Sequence, residues 1–147
     1  MNGFSALKSY RNVSAQSAVV DSNPHQLILM LLDGAIERTA GAIGHMRHGE
    51  PAEKGRLIGG SMAIIDSLRA SLNHAAGGAL AGNLDRLYDY MNRRLLEANM
   101  KNDTGILSEV VTLLKEIREA WNAIPQTYRG ASGATVRPMF TSPGSNR

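Results

Sequence analysis

The stretch NPHQLILMLLDGAI, residues 23–36, contains six consecutive apolar residues, from Leu27 to Leu32. Asn23 is of a type that caps helices, and Pro24 suits the first helical position because its missing N–H is not needed there. The stretch therefore predicts the start of an α-helix. Successive helical residues are rotated by about 100°, so six of them reach every side. Such a helix is either covered on all sides or keeps apolar surface for a partner.

Three further segments also have apolar residues at helical spacing, and strand patterns are weak throughout. The spacing predicts four helices: Pro24 to about His48, Ala52 to about His74 or Ala75, Ala79 to about Asn99, and Thr104 to about Ile124. Very short turns separate them, and helices joined in this way must run antiparallel. We therefore predict an all-α fold, an antiparallel four-helix bundle over residues 23–124.

The two ends of the chain differ from this bundle in composition. Residues 1–22 include apolar residues at helical spacing and predict a short N-terminal helix or arm that caps the bundle. Residues 125–147 are rich in Gly, Pro, Ser and Thr and have few apolar anchors. This composition is typical of a flexible, disordered tail.

Composition and charge exclude several functions. The chain has 147 residues and no Cys, which excludes thiol catalysis, disulfides and Cys-based zinc sites. The formal net charge of +3 comes from three Arg within residues 125–147, a segment without acids. A nucleic-acid-binding protein concentrates charge on a folded face, so we expect no nucleic-acid partner. With no signal peptide and no apolar run near the roughly 20 residues of a membrane span, we expect a cytoplasmic protein without membrane insertion.

No residue pattern indicates catalysis or a cofactor. Di-iron helix bundles carry Glu-x-x-His pairs, and no acid in this sequence is followed by His three residues later. His45 and His48 have metal-ligand spacing, but solvated histidines near a helix C-terminus are the simpler interpretation. We therefore predict no enzyme activity, no cofactor and no metal. An enzyme or metal carrier on the same bundle is the rival, and metal retained through purification would reveal it.

Several apolar residues fall outside the stripes that would face the core. On the first helix Met30 falls among polar residues, and Leu27 and Leu31 lie at the edges of the stripe. Burying each such side chain is worth about 1.5–3 kcal/mol, so a cover is expected. The predicted partner-binding residues of the bundle are Leu27, Met30, Leu31, Tyr90, Leu96, Met100, Ile106 and Val110.

Two covers for the first helix are compatible with one another. The N-terminal arm can fold back over it through Leu7 and Tyr10, which are therefore included among the candidate binding residues. Alternatively, a segment of a partner occupies the same groove, displacing or adjoining the arm. Helices in apolar grooves are a common mode of recognition, and flexible Met side chains suit adaptable surfaces.

Four runs carry a resemblance to a known family. In chain order they are YRNVSAQSAVVDSNPHQLILMLLDGAI, KGRLIGGSMAIIDSLRASL, NLDRLYDYMNRRLLEANMKND and LSEVVTLLKEIREAW. Together they resemble the flagellin-specific secretion chaperones, the FliS family, over about residues 4–124. One departure is visible at Leu32, where the family often has Tyr or Phe before Asp-Gly. The loss of an aromatic at a core-side position affects local packing more than function.

The resemblance implies a bundle that binds the C-terminal part of newly made flagellin in the cytoplasm. Binding would prevent premature polymerisation and keep flagellin competent for the flagellar type III export gate, a second candidate partner. The family also implies an N-terminal segment that matters for client binding, and Leu7 and Tyr10 match its apolar and tyrosine positions. We expect a monomer or weak homodimer. The alternative is a helical oligomerisation or adaptor module without a flagellin client.

Overall fold

The structure, a computed structural model, describes residues 23–124. The predicted arm and tail lie outside this range. The described part contains four helices, which we number α1 (Pro24–Arg47), α2 (Pro51–Ala70), α3 (His74–Lys101) and α4 (Thr104–Asn122). Residues 23–124 contain no strand, and the predicted all-α four-helix bundle is confirmed. No helix in this range is long and apolar enough to cross a membrane.

The helices are arranged as a ring around one apolar core. α1 packs against α2 and α4, and α3 packs against the same two helices. Each helix contributes one stripe of inward-facing side chains, because residues three and four apart share a face. The largest fully buried apolar side chains are Leu32, Ile58, Ile64, Ile65, Leu68, Met91, Leu95, Leu107, Val110, Leu114 and Ile124.

The first and last helices both start with a side-chain cap, and the one at Asn23 is as predicted. The side chain of Asn23 accepts hydrogen bonds from the backbone N–H groups of His25 (3.1 Å) and Gln26 (3.3 Å). Asp103 accepts one from the N–H of Ile106 at 3.2 Å. Between α3 and α4, Asn102 adopts the left-handed conformation with φ of 54°. Each cap satisfies backbone donors that the first turn leaves free.

The turn between α2 and α3 lies earlier than predicted. α2 ends at Ala70, where the Ser71 hydroxyl donates to the Leu68 carbonyl at 2.7 Å. α3 starts at His74 because the side chain of Asn73 accepts a hydrogen bond from Ala76 N–H at 3.0 Å. The sequence predicts this turn between about Ala75 and Ala79, where the Gly77-Gly78 pair lies. Instead Gly78, with φ of 53°, interrupts α3 after its first turn.

A buried hydroxyl pair joins α1 to α2. Thr39 and Ser61 are both fully buried, and their hydroxyl oxygens are 2.7 Å apart. The Ser61 hydroxyl donates to the carbonyl of Ala35 at 3.3 Å, so Thr39 supplies the proton between the two side chains. Both hydroxyls are thereby satisfied inside the core, where an unpaired one would cost about 1–3 kcal/mol.

Lys54 ties the start of α2 to the end of α3. Its side chain is nearly buried, and its ammonium donates to the carbonyl of Asn99 (3.1 Å) and the side chain of Asn102 (2.7 Å). The Asn99 carbonyl is one of the last four of α3, which have no partner within the helix. Lys54 therefore caps α3 and fixes the α3–α4 turn against α2.

Candidate partner-binding surface

The six consecutive apolar residues of α1 are only partly covered. Leu29, Leu31 and Leu32 are buried, whereas Leu27 and Met30 are half-buried. Leu27 packs against the edge of the core cluster. Leu31 is 3% exposed and belongs to that cluster, so it offers almost no area to a partner in this structure. Leu27 and Met30 are therefore the predicted α1 residues that a partner can touch without rearrangement of the core.

The N-terminal half of α1 is held by contacts with α4. The Arg118 guanidinium donates to both carboxylate oxygens of Asp33, at 2.5 and 3.4 Å. The Trp121 indole N–H donates to the carbonyl of His25 at 3.1 Å, and the two rings stack with centroids 5.0 Å apart. The hydrogen bond with Asp33 raises the pKa of Arg118. These contacts give Leu27 and Met30 a fixed platform.

Two predicted residues on α4 lie in the core. Ile106 is 6% exposed and Val110 is fully buried. Because the two residues are four apart, they share one face of the helix, and with Leu107 they form the inward stripe of α4. Neither side chain offers area to a partner in this arrangement.

Tyr90 takes part in a polar network between α3 and α4. Its hydroxyl donates to one carboxylate oxygen of Glu109 at 2.5 Å, and Arg94 donates to the other at 2.9 Å. Arg94 also binds Glu97 at 2.7 Å. The hydrogen bond from Tyr90 is the main cause that holds the pKa of Glu109 below its ordinary value, and it raises the pKa of Tyr90. Tyr90 therefore bridges α3 and α4, and its ring stays half-buried.

Leu96 and Met100 form the main apolar patch of the described residues. They are 50% and 72% exposed and are the only exposed large hydrophobic residues in the range 23–124. Being four residues apart, they lie on one face of α3. Their exposure agrees with their predicted position off the core stripe. A soluble protein tolerates such residues singly, but an adjacent pair is a candidate contact surface.

Within residues 23–124 no group of three or more His, Asp or Glu side chains could hold a metal ion. His45 contacts the carboxylate of Glu50 through Nδ1, and His48 Nδ1 lies 2.7 Å from the carbonyl of Gly44. The two histidines thus have local partners at the end of α1 and do not converge on a common point.

Comparison with known families decides what this bundle is. Residues 6–128 match the family described as "Flagellar protein FliS". The chain belongs to the FliS family. The match spans all four helices, the ring that they form and the patch at Leu96 and Met100.

The chain aligns with curated relatives over nearly the whole length of those relatives. The chain is 49% identical over 124 residues to the flagellar secretion chaperone FliSB of Pseudomonas aeruginosa, covering 84% of this chain and 98% of the relative. It is 39% identical over 131 residues to the flagellar secretion chaperone FliS of Vibrio cholerae, covering 89% and 96%. It is 46% identical over 121 residues to FliS of Salmonella typhimurium, covering 82% and 90%.

Proposed function

We propose that this chain is a cytoplasmic flagellar secretion chaperone that binds the disordered C-terminal segment of flagellin and has no catalytic activity. The observation that carries the proposal is the match to the FliS family over residues 6–128, together with relatives named as flagellar secretion chaperones. Binding prevents premature polymerisation and keeps flagellin competent for the flagellar export gate. No step of this function requires a cofactor.

The proposed mechanism is folding of the client on a preformed bundle. The buried hydroxyl pair and the Lys54 cap give the bundle a fixed interior, so the protein itself pays little ordering entropy on binding. The client contacts apolar side chains that the core leaves partly or fully outside, chiefly Leu27, Met30, Leu96 and Met100. Ordering the client costs about 2–5 kcal/mol or more, which a large wrapped contact offsets.

Leu7 and Tyr10 have a separate role in the proposal. They lie outside the described residues, and we propose that their segment covers the α1 surface around Leu27 and Met30 until flagellin takes its place. Leu27 and Met30 are half-buried, so part of each side chain is available to such a cover. A weakly held cover costs the client less binding energy than a helix of the bundle would.

Co-purification tests the proposal. The tagged chaperone is expressed with intact flagellin, or with flagellin that lacks its C-terminal segment. We expect capture of the intact form alone. Capture of both forms, or of neither, would contradict the proposed client site. The Leu27→Asp and Met30→Asp variants should reduce capture at unchanged helical content, whereas Leu31→Asp should lower the helical content because Leu31 is buried.

A second candidate function is self-association, which the exposed pair Leu96 and Met100 favours. In that case the chain is an oligomerisation or adaptor module without a flagellin client. Light scattering with and without flagellin separates the two. A module of this kind forms larger species alone, whereas the chaperone does so only when flagellin is added.

A further inference from the structure

An exposed apolar pair on α3 lies beside an acid that has no cation. Leu96 and Met100 are 50% and 72% exposed and share one face of the helix. Asn92, one turn before Leu96, donates its amide to the exposed carboxylate of Asp66 on α2 at 2.8 Å. None of the ion pairs among residues 23–124 includes Asp66. We call Asp66, Leu96 and Met100 the α3 patch, a carboxylate followed along the surface by two apolar side chains.

The sequence beyond the FliS match contains a run that is complementary to this patch. The match ends at residue 128, and residues 129–147 include three Arg and no acid. Within them the run VRPMF, residues 136–140, places Arg137 just before the apolar residues Met139 and Phe140. The preceding RGASGAT, residues 129–135, has the composition of a flexible linker. The run therefore supplies a base for the carboxylate and apolar groups for the two exposed side chains.

The chain between α4 and the VRPMF run is long enough to reach the patch. Hydrogen bonds from Tyr90 and Arg94 place Glu109 level with that part of α3. At 1.5 Å per helical residue Ile124 lies about 22 Å from this level, and crossing the width of one helix makes the required span about 25–30 Å. Residues 125–138 span about 20 Å on average as a flexible chain and about 46 Å when fully extended. The required span falls between these two values.

The order of groups along the patch also matches the run. α3 and α4 are antiparallel, so the end of α4 lies beside the first half of α3. A chain that leaves α4 there and follows α3 meets the carboxylate first and the two apolar side chains afterwards. The run presents Arg137, Met139 and Phe140 in the same order. Two extended residues advance about 6.6 Å and one helical turn advances about 5.4 Å, so the spacing agrees as well.

We infer that the VRPMF run of this chain docks on its own α3 patch, with Arg137 at Asp66 and with Met139 and Phe140 on Leu96 and Met100. A short flexible linker holds the run at an effective concentration on the order of 1 mM. Docking with a dissociation constant of about that value covers the patch about half the time. The docking itself is independent of the proposed function, whereas displacement of the run by flagellin rests on it.

The same run of a second copy is a weaker candidate for the occupant. It offers identical side chains, but at micromolar protein concentration it is about a thousandfold more dilute than the tethered run. A contact of this small size therefore forms within one chain before it forms between two.

A spin label on the full chain tests where the run lies. The chain has no Cys, so Ser142→Cys carries a single nitroxide two residues after Phe140, and methyl-labelled methionine reports on the bundle. The Met100 signal should lose most of its intensity, whereas the signal of Met30, across the ring on α1, should be kept. The double substitution Met139→Ser and Phe140→Ser in the same labelled chain should restore the Met100 signal. Equal loss with and without the two apolar side chains would overturn the inference.

Two other results of this experiment would also overturn it. Loss of the Met30 signal with Met100 unaffected would place the run on the α1 surface. Loss of the Met100 signal when the label and the labelled methionine are on different chains would identify a second copy as the occupant. A charge pair completes the test: Arg137→Gln should restore part of the Met100 signal at low salt and less at high salt, because exposed charges are screened. Arg147→Gln removes the same charge outside the run and should change nothing.

Displacement by the client is tested separately by titration calorimetry with a flagellin C-terminal fragment. Because the run covers the patch about half the time, its Met139→Ser and Phe140→Ser variant should bind the fragment about twofold more tightly than wild type. Equal affinities would contradict displacement and leave the proposed function standing. Absence of binding to both proteins would contradict the proposed function, and the spin-label result alone would then decide the docking.

Discussion

Val110 and Met100 are both predicted to bind the partner, yet the structure places them in opposite environments. Val110 is fully buried, and Met100 is 72% exposed. Val110→Ala removes two buried carbons at about 0.8 kcal/mol each and leaves a small cavity. The better helix propensity of Ala offsets about 0.5 kcal/mol of this loss, so Val110→Ala should lower the free energy of unfolding by about 1–2.5 kcal/mol. Met100→Ala loses only about a quarter of a buried side chain, which costs less than about 0.8 kcal/mol.

Two assays on the same variants separate these roles. In urea unfolding followed by circular dichroism, Val110→Ala should lower the midpoint by about 1 M, because small domains have slopes of about 1–3 kcal/mol per M. Met100→Ala should unfold nearly as wild type. In calorimetric titration with the flagellin C-terminal fragment the order should reverse, with at least fivefold weaker binding for Met100→Ala only. Full stability together with lost binding for Val110→Ala would refute the placement of Val110 in the core.

Three further predictions concern two helical glycines, the buried hydroxyl pair and the network between α3 and α4. Gly59→Ala should raise the free energy of unfolding by about 0.5–1 kcal/mol. Gly41→Ala should raise it by less, because Leu57 lies 3.2 Å from the new Cβ. Thermal unfolding of each variant measures the difference. A double-mutant cycle of Thr39→Val and Ser61→Ala should give a coupling energy of about 0.5–1.5 kcal/mol from their hydrogen bond, and additive effects would contradict it. Glu109 has a folded-state pKa below its ordinary 4.5; its contribution is present above that pH and is lost as pH falls through the lower value, so acid should destabilise wild type more than Glu109→Gln.

The fold could be predicted because helical signals are local. The apolar spacing, the Asn23 and Asp103 caps and the short turn before α4 are readable from neighbouring residues, and the structure confirms them. The α2–α3 turn was predicted several residues too late. Both Asn73 and the glycine pair near Gly78 are recognised signals of a helix boundary. In the structure the cap at Asn73 starts the new helix, and Gly78 only interrupts it.

The candidate surface was harder to predict because exposure depends on the neighbouring helices. A helical projection gives the angle of a side chain on its own helix but not the directions from which other helices cover it. Leu31 lies at the edge of the α1 stripe and is 3% exposed, whereas Leu96 lies off the α3 stripe and is 50% exposed. The register between α2 and α3 had no sequence signal of its own, and only the packed structure defines it.

Calorimetric titration of the full chain with flagellin tests the central claim most directly. The claim is that a complete bundle with uncovered apolar side chains binds and orders a disordered client segment. With the intact C-terminal segment we expect one-to-one binding, a negative heat-capacity change from apolar burial, and a gain of helical signal above the sum of the components. Truncated flagellin should give no heat of binding. Equal binding of both forms, or binding without added helix, would contradict the account.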